Sequence, residues 1–288
     1  MAVRVVVITG CSSGIGLATA ARLAKDDSKK YKVYATMRDT SRKEQLVKTV
    51  GDALGKTLFI RELDVTRDES VEAFFSELYD EEGRVDVLVN NAGISFSYPL
   101  EGVSLDVHRQ IMETNFFGAL RTIHKVVPDM KKRRSGRIVN ITSVGGVIAF
   151  PFTDSYCASK FALEGLSESL VAVLKQFDVH ISTLPLGLIK TPMAESKGSN
   201  LEKNEDLVDE ESLKLMQRAI ASKQWQTVFV DNIQAVEQTA EVIVSVIEDP
   251  NPKLRYTNSE GTREVLSIKL NDVNGESTVA HQMKYFDT

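Results

Sequence analysis

Short runs rich in Val, Ile and Leu alternate along this chain with longer segments whose apolar residues are spaced three and four apart. The apolar runs cover residues 3–8, 32–36, 57–63, 85–90, 137–141 and 180–186. The segments with helical spacing cover residues 17–24, 70–79, 105–133 and 156–177. Such alternation is typical of parallel strands joined by crossover helices. The sequence therefore predicts a single α/β domain over residues 1–288, a doubly wound parallel sheet (Rossmann), and residues 252–256 are a candidate for a final strand.

Length and composition fit one large domain and narrow the choice of partner. The 288 residues are 42% hydrophobic, which is ample material for a core. A net charge of -5 argues against nucleic acid as a partner, because nucleic-acid readers concentrate positive charge, so we expect a small molecule. Only two cysteines are present, Cys11 and Cys157, which predicts neither a disulfide framework nor a metal site. No apolar run is long enough for a transmembrane span, and we expect a cytoplasmic protein.

The sequence pattern changes between residues 190 and 230. Glu and Lys alternate over residues 202–211, with Met193, Met216, Trp225 and Phe229 scattered around them. We expect an insertion that folds over the sheet as a substrate lid. Its charged half is most simply a solvated helix face, while its apolar side chains fit either a core or the lining of a ligand pocket. Both interpretations of the apolar side chains stay open here.

A glycine-rich loop follows the first apolar run and leads into a helical segment. It reads Thr-Gly-Cys-Ser-Ser-Gly-Ile-Gly over residues 9–16. Gly10 suits a tight turn, Gly14 lets backbone approach a pyrophosphate, and Gly16 lets the helix pack on the strand with its N–H groups facing the phosphates. The spacing is not the commoner G-x-G-x-x-G, and a plain glycine-rich turn is the competing interpretation.

The end of the second apolar run bears on the choice of dinucleotide. A carboxylate at this strand end suits the ribose 2′-hydroxyl of NAD, whereas an arginine suits the 2′-phosphate of NADP. Here Met37 is followed by Arg38, and the Ser12 hydroxyl is a second candidate for the phosphate. We therefore expect NADP(H) to be favoured over NAD(H). Asp39 argues against this preference, because its carboxylate suits the ribose of NAD or an ion pair with Arg38.

Tyr156 and Lys160 lie four residues apart in a helical segment, and this spacing places them on one face. A cation at roughly 4 Å, in a medium of effective dielectric near 20, favours a phenolate by about 4 kcal/mol. The phenol, with an ordinary pKa of about 10, would then exchange protons near neutral pH. A half-buried tyrosine beside a surface lysine is the ordinary alternative, so the proton-transfer interpretation of this pair depends on the other motifs in the sequence.

Taken together, these motifs resemble those of the classical short-chain dehydrogenases/reductases over essentially the whole chain. The shared anchors appear in the family's order, with Ser143 thirteen residues before Tyr156. Besides the glycine loop, they are Asp64-Val65, Asn90-Asn91-Ala92-Gly93, Asn115, Ser143, Tyr156 and Lys160. One motif of this kind arises easily by chance, but agreement of so many in order does not.

The resemblance implies a role for each matching residue. Tyr156 is expected to be the acid or base, Ser143 to hydrogen-bond the reacting oxygen, Lys160 to lower the pKa of Tyr156 and hold the nicotinamide ribose, and Asn115 to orient a water beside Lys160. Further residues are expected to bind the cofactor: Gly10, Ser12, Ser13, Gly14, Ile15, Gly16, Arg38, Asp64, Val65, Asn91, Ala92, Gly93, Tyr156, Lys160, Gly187, Ile189 and Thr191. The substrate is expected to contact Ser143, Phe150, Tyr156 and Met193.

Finer matches resemble the branch of that family that contains 17β-hydroxysteroid and all-trans-retinol dehydrogenases. They are the glycine loop, residues 34–39, residues 143–146 and residues 156–166. The branch implies a lipophilic alcohol or ketone, most simply a 17-ketosteroid, with a retinoid as the alternative. The family also implies a homodimer through the segments 105–133 and 156–177. A dinucleotide-binding sensor without turnover stays open, since a fold does not guarantee catalysis.

Overall fold

The computed structural model of the protein describes residues 3–196 and 201–286, and their centre is one parallel β-sheet. Its strands are β1 (Arg4–Ile8), β2 (Tyr31–Met37), β3 (Leu58–Glu62), β4 (Val87–Asn90), β5 (Gly136–Ile141) and β6 (Val179–Leu184). They lie in the order β3-β2-β1-β4-β5-β6, and every neighbouring pair is parallel. The chain therefore reverses its direction of winding between β1 and β4. In such sheets the carboxyl ends of the strands at this point form the ligand-binding crevice.

Helices cover both faces of the sheet, as the apolar runs predict. The helices are α1 (Gly14–Ala24), α2 (Glu44–Val50), α3 (Asp68–Glu82), α4 (Leu105–Met112), α5 (Gly118–Arg133), α6 (Asp154–Lys175), α7 (Pro192–Ser196), α8 (Glu210–Ala221), α9 (Lys223–Trp225), α10 (Val236–Glu248), α11 (Glu260–Leu270) and α12 (Glu276–Met283). Along β1, Val6 and Ile8 pack in one buried cluster with α1 and α10, while Val5 and Val7 pack in another with α3 and α5. Burial on both faces explains why the strand is apolar throughout. The predicted doubly wound α/β fold is confirmed.

The segment 105–133, predicted as one long helix, is interrupted by a π-helical turn at Glu113–Phe117. This turn joins α4 to α5 without a break in helical backbone angles, since Met112 and Phe117 are both in the right-handed helical region. The extra residue of a π turn rotates the side chains that follow it, and such turns often occur at functional sites. Here it places Asn115 inside the protein, with 1% of its surface exposed.

The final strand predicted at residues 252–256 is not formed. The segment makes a single parallel bridge, between Arg255 and Thr183 of β6, and no seventh strand is added to the described part of the sheet. Two backbone hydrogen bonds hold it there, from Thr183 to the Leu254 carbonyl and from Tyr256 to the Thr183 carbonyl. In this register the next bond of the ladder would need an N–H from residue 185, which is a proline, and this ends the pairing on that side.

The described part of residues 190–230 folds over the carboxyl edge of the sheet. On one side, Val208, Leu213 and Met216 pack against a buried cluster built around Phe96 and Tyr98. On the other side, Trp225 and Val228 pack in a cluster with Phe150 and Tyr285. Residues 197–200 of this predicted lid, and the side chain of Phe229, lie outside the described residues.

Candidate active site

The glycine loop after β1 is joined to the loop after β4 by side-chain hydrogen bonds. The Thr9 hydroxyl accepts from the backbone N–H groups of Asn91 (3.0 Å) and Ala92 (2.9 Å). In return, Asn91 Nδ2 donates to the carbonyls of Thr9 (2.8 Å) and Gly10 (3.1 Å). The two loops flank the point where the sheet reverses its winding, so these bonds fix the floor of the expected dinucleotide crevice.

The glycines of this loop are required by how closely the two loops approach each other. A Cβ added at Gly16 would lie 2.5 Å from both Asn91 Nδ2 and the Gly10 carbonyl oxygen, and one at Gly10 would lie 2.9 Å from Ala92 Cα. Gly10 and Gly14 also have positive φ angles of 73° and 59°. Larger side chains would therefore force the loops apart.

Helix α1 begins directly in this loop and has no side-chain cap. Ser13 is the N-cap residue, and its side chain makes no capping hydrogen bond. Ser12 is half-buried in the same loop, while Ile15 packs against the buried cluster between α1 and the sheet. Uncapped N–H groups at a helix N-terminus suit a phosphate group. These residues fit a dinucleotide in the place that the sequence predicts.

Arg38 and Asp39 follow β2 directly and are both exposed. Asp39 accepts a hydrogen bond from the Ser41 backbone N–H (2.9 Å) and so caps a short 3₁₀ turn at Thr40–Lys43. Hydrogen bonds from Ser41 hold the pKa of the Asp39 carboxyl below its ordinary value. Arg38 makes no ion pair with any described residue. The carboxylate therefore has a local structural role, while the guanidinium is available at the strand end.

Asp64 and Val65, the anchors after β3, form a tight turn. The Asp64 carboxylate accepts from the backbone N–H and the hydroxyl of Thr66, at 3.0 and 2.7 Å. Val65 is buried, and a Cβ at Gly118 of α5 would lie 2.7 Å from it. The turn is thus held from both sides, and its backbone is bonded as well, since the Asp64 N–H donates to Ser70 Oγ (2.9 Å) and the Val65 carbonyl accepts from Arg121 Nη1 (3.3 Å).

The loop after β6 closes the crevice from the other side. A Cβ at Gly14 would lie 3.2 Å from the Thr191 methyl group, so this loop meets the glycine loop. Ile189 is 5% exposed and forms a bridge with Gln234, and the Gly187 N–H donates to Asn258 (3.4 Å). The Thr191 hydroxyl accepts from the Ala194 N–H (3.3 Å), which ties it to the start of α7.

The four predicted catalytic side chains come from three neighbouring elements. Helix α6 presents Tyr156 and Lys160 on one face, Ser143 follows β5, and Asn115 lies in the π turn before α5. The Ser143 hydroxyl lies near the Tyr156 phenol and favours its ionised form. The backbone of Gly145 lies beside them, since a Cβ there would be 3.4 Å from Ser143 Oγ and 3.6 Å from the Tyr156 ring.

Lys160 and Asn115 meet beside Gly93. A Cβ at Gly93 would lie 3.2 Å from Asn115 Oδ1 and 3.6 Å from Lys160 Nζ, so a side chain there would press on the amide of Asn115. Asn115 is fixed by three hydrogen bonds: it accepts from the Ile94 N–H (2.8 Å) and donates to the Ile94 carbonyl and the Ser159 hydroxyl (both 2.9 Å). The loop after β4 thus connects the cofactor crevice to the catalytic side chains.

The expectation that Lys160 lowers the pKa of Tyr156 is wrong for this structure. Burial raises the pKa of the phenol to about 12, although the nearby Ser143 hydroxyl opposes the shift. Lys160 Nζ lies over the tyrosine ring, 5.9 Å from its centroid, and donates to the Ile141 carbonyl at 3.0 Å. Burial also lowers the pKa of Lys160 to about 8, and here desolvation outweighs the attraction of the Glu164 carboxylate.

Two further residues contribute to the site and were missed in the sequence. Thr9 joins the glycine loop to the loop after β4, and its only sequence signal is its position at the strand end. Glu164 lies one helical turn beyond Lys160 with only 4% of its surface exposed, and its carboxylate opposes the fall in the lysine pKa. Four-residue spacing from Lys160 is a signal that could have indicated it.

Comparison with known proteins agrees with this geometry. The family model for short chain dehydrogenase matches residues 4–202, which is more than half of the chain. This chain belongs to the short-chain dehydrogenases.

Two human relatives of this short-chain dehydrogenase are named for different lipophilic substrates. Retinol dehydrogenase 8 is 42% identical over 282 residues, which cover 94% of this chain and 86% of the relative. 17-beta-hydroxysteroid dehydrogenase type 1 is 41% identical over 283 residues, covering 97% and 84% respectively. The two sequence identities are nearly equal, so similarity favours neither relative over the other.

Comparison of the fold with solved structures indicates the same family. A short-chain dehydrogenase from Streptomyces avermitilis has a TM-score of 0.77 at 27% identity and covers 97% of this chain and 98% of its own. An alcohol dehydrogenase from the archaeon Thermococcus sibiricus, complexed with 5-hydroxy-NADP, has a TM-score of 0.70 at 25% identity, with 88% and 95% covered. This dehydrogenase is therefore an oxidoreductase of the family that binds a nicotinamide dinucleotide.

Proposed function

We propose that this protein is an NADP(H)-dependent oxidoreductase that interconverts a ketone and a secondary alcohol on a lipophilic substrate. A 17-ketosteroid and its 17β-hydroxysteroid are the substrate pair we favour. The convergence of Ser143, Tyr156, Lys160 and Asn115 at the carboxyl edge of the sheet is the observation on which the proposal rests. The relative that acts on 17β-hydroxysteroids supports the choice of substrate.

In the proposed mechanism, each side chain acts on the reacting oxygen or on a neighbour of it. The Ser143 hydroxyl hydrogen-bonds the substrate carbonyl oxygen and positions it beside Tyr156. Tyr156 then donates its phenolic proton to that oxygen. When bound, the nicotinamide supplies the hydride for the carbonyl carbon. With a pKa raised to about 12, the phenol is protonated at neutral pH, which is the state that a general acid requires for ketone reduction.

Lys160 and Asn115 complete the proposed proton path. Lys160 is buried beside Gly93, where its ammonium group would hold the hydroxyl groups of the nicotinamide ribose. Asn115 is fixed by its bonds to Ile94 and Ser159, and we expect it to orient a water molecule next to Lys160. Protons lost by Tyr156 would be replaced along this path. In alcohol oxidation the same groups run in reverse, with Tyr156 as the base.

Tyr156→Phe tests whether the protein is an enzyme of this type at all. The change removes the phenolic oxygen and keeps the ring, so turnover should fall by about 10²- to 10⁴-fold while the dissociation constant for NADPH stays within about twofold. A sensor that binds dinucleotide without turnover would show no steady-state reduction in either form. Activity that survives the substitution would overturn the mechanism.

A retinal reductase is the second candidate, because retinol dehydrogenase 8 is equally similar. Parallel assays with a 17-ketosteroid and all-trans-retinal, both with NADPH, separate the two. We expect the larger kcat/KM for the ketosteroid. A larger value for retinal would reassign the substrate while leaving the roles of Ser143 and Tyr156 intact.

The preference for NADP(H) over NAD(H) is part of the proposal. It rests on the exposed Arg38 at the end of β2 and on the use of the Asp39 carboxylate in a cap. The Ser12 hydroxyl, half-buried in the glycine loop, is the second expected contact of the 2′-phosphate. A kcat/KM that is larger with NADH than with NADPH would refute this preference.

The lid formed by residues 190–230 is proposed to cover the substrate. Phe150 is 6% exposed and packs edge-on against Tyr285, whereas Met193 is 39% exposed at the start of α7. We propose that Phe150 forms part of the packed wall of the substrate site and that Met193 contacts the substrate from the lid. Loose selectivity is expected if only apolar contacts recognise the far end of the ligand.

We also propose that the protein is a homodimer that works in the cytoplasm. The helices of the predicted interface expose large apolar side chains: Leu105, Phe117, Phe161 and Val173. Exposed apolar groups on neighbouring helices suit burial against a second copy, and light scattering that shows only monomer would refute the dimer. The compartment is inferred from the two free, buried cysteines. None of the described helices has the length and apolar character needed to cross a bilayer.

A further inference from the structure

A buried carboxylate lies directly behind the catalytic side chains. Glu164 of α6 has 4% of its surface exposed and follows Lys160 by one helical turn. Its Oε1 accepts from the Thr142 hydroxyl at 2.5 Å, and its Oε2 accepts from the Thr183 hydroxyl at 3.1 Å. Burying an ionised carboxylate is costly unless it is paired and fully hydrogen-bonded. The proposed mechanism gives this group no role.

Arg255 is the cation that pairs with this carboxylate. Its Nε and Nη2 atoms donate to Glu164 Oε2 at 3.1 and 2.9 Å. It belongs to the segment after α10, whose backbone is bonded to Thr183 of β6. One carboxylate therefore joins four pieces of chain: α6, the end of β5, β6 and the segment around Arg255.

The connections of Glu164 lead to both halves of the catalytic set. Thr142 immediately precedes Ser143, so its bond to Glu164 anchors the end of β5 from which the serine projects. Lys160 stands on the same helix face as Glu164, and it donates to the carbonyl of Ile141 in the same strand. Helix α6 and β5 are thus bound together on both sides of the reacting groups.

We propose that Glu164 is a positioning residue for the reaction. Its carboxylate, balanced by Arg255, keeps Lys160 charged and fixes α6 against the strand end that bears Ser143. This inference rests on the proposed function. Removal of the carboxylate makes the Lys160 cation less favourable, and removal of Arg255 makes it more favourable, because the guanidinium offsets the carboxylate charge. The two changes should therefore shift the titration of Lys160 in opposite directions.

Few other charges surround this pair among the described residues. On α6 itself, the titratable neighbours of Lys160 and Glu164 are Tyr156 and Cys157 on one side and Glu168 on the other, the last lying 3.8 Å from Arg255. From the packed elements, His108 of α4 contacts Ser155, and Glu113 of the π turn pairs with Arg121. Neither of these two is bonded to Lys160 or Glu164, so the carboxylate and Arg255 dominate the local charge.

The test compares Glu164→Gln with Arg255→Met, with Arg255→Lys as the conservative control. The first readout needs no substrate: the pH titration of the Lys160 Cε signal in ¹³C-lysine-labelled protein, assigned with a Lys160→Arg variant. The second readout is the pH profile of kcat/KM for ketosteroid reduction with NADPH. We expect the titration midpoint and the alkaline fall in activity to move down by about one pH unit in Glu164→Gln, up in Arg255→Met, and little in Arg255→Lys.

The outcomes separate this inference from the proposed function. Shifts in opposite directions support the positioning role. Shifts in the same direction, or losses of stability with an unchanged midpoint, would show that the pair is only structural and would overturn it. If wild-type protein binds NADPH but reduces neither test substrate, the proposed function fails, while the substrate-free titration still decides whether Glu164 controls Lys160.

Discussion

The loops after β1 and β4 meet on the cofactor side of the site through four polar contacts of Thr9 and Asn91, and glycines let their backbones touch. On the substrate side, aromatic rings make the contacts that join separate parts of the chain. Tyr285, from the segment after α12, packs edge-on against Phe150 and Trp225, which come from two other regions of the chain. The first side is built from short sequence motifs, and the second is built from long-range apolar packing.

The difference explains why the family is easier to recognise than the substrate. A backbone contact at 2.5 to 2.9 Å admits only glycine, so the cofactor side leaves a fixed pattern in the sequence. A cluster of rings tolerates exchange among apolar residues of similar volume. Two relatives of equal similarity, named for retinol and for a steroid, fit this division. The following predictions probe the two sides in order of expected effect.

Gly16→Ala should have the largest effect, and it should fall on the cofactor side. The new Cβ would lie 2.5 Å from the Gly10 carbonyl and from Asn91 Nδ2, so the glycine loop must move. A strain of about 3 kcal/mol or more corresponds to a loss of NADPH affinity of at least about 100-fold. Fluorescence titration with NADPH measures it.

Gly165→Ala is the matched control for this glycine. Position 165 lies in helix α6, and a Cβ there meets no atom within 4 Å. Alanine in a helix interior should stabilise the fold by about 0.5–1 kcal/mol and leave NADPH affinity unchanged. Unaltered affinity in Gly16→Ala would mean that the loop contact is not required for the dinucleotide.

Local spacing was enough to predict the sheet and to bring several candidate site residues together. The runs of Val, Ile and Leu predicted all six strands, because strands buried on both faces need continuous apolar residues. The four-residue spacing of Tyr156 and Lys160 placed both side chains on one face of α6, and the structure brings Ser143 to the tyrosine. Each of these features depends on residues that are close in sequence or that end neighbouring strands.

Features that depend on distant residues could not be predicted in this way. The bond between Glu164 and Arg255 joins residues 91 positions apart, and no local pattern links them. The pKa of Tyr156 depends on how deeply the tertiary structure buries it, which spacing does not report. The packing of Tyr285 on Phe150 likewise joins the C-terminal segment to the middle of the chain.

Tyr285→Ala should affect the substrate side and spare the cofactor side. The ring has no exposed surface and contacts Phe150, Trp225 and His281, so its loss removes about 3–5 kcal/mol of local packing. We expect the KM for the lipophilic substrate to rise about tenfold, with NADPH affinity within about twofold of wild type. Val273→Ala, at a residue 98% exposed between α11 and α12, is the control and should change neither value. A parallel loss of NADPH affinity in Tyr285→Ala would show that the two sides are not independent.

The smallest predicted effect concerns two buried threonines, one on each of two helices that flank the sheet. Thr19 of α1 and Thr122 of α5 both have no exposed surface. The Thr122 hydroxyl lies 2.6 Å from Asn90 Oδ1 and 2.8 Å from the Ala119 carbonyl oxygen, which share its one proton, whereas the Thr19 hydroxyl has no hydrogen-bond partner among the described residues. An unpaired buried hydroxyl costs free energy, and a paired one contributes to stability.

Valine in place of each threonine keeps the shape and removes only the hydroxyl. Thr19→Val should raise the free energy of unfolding by about 1 kcal/mol, while Thr122→Val should lower it by about 1–2 kcal/mol, because Asn90 loses its donor. Urea denaturation of both variants beside wild type measures the difference. If Thr19→Val is the destabilised variant, the Thr19 hydroxyl has a hydrogen-bond partner in solution and the unpaired state is refuted.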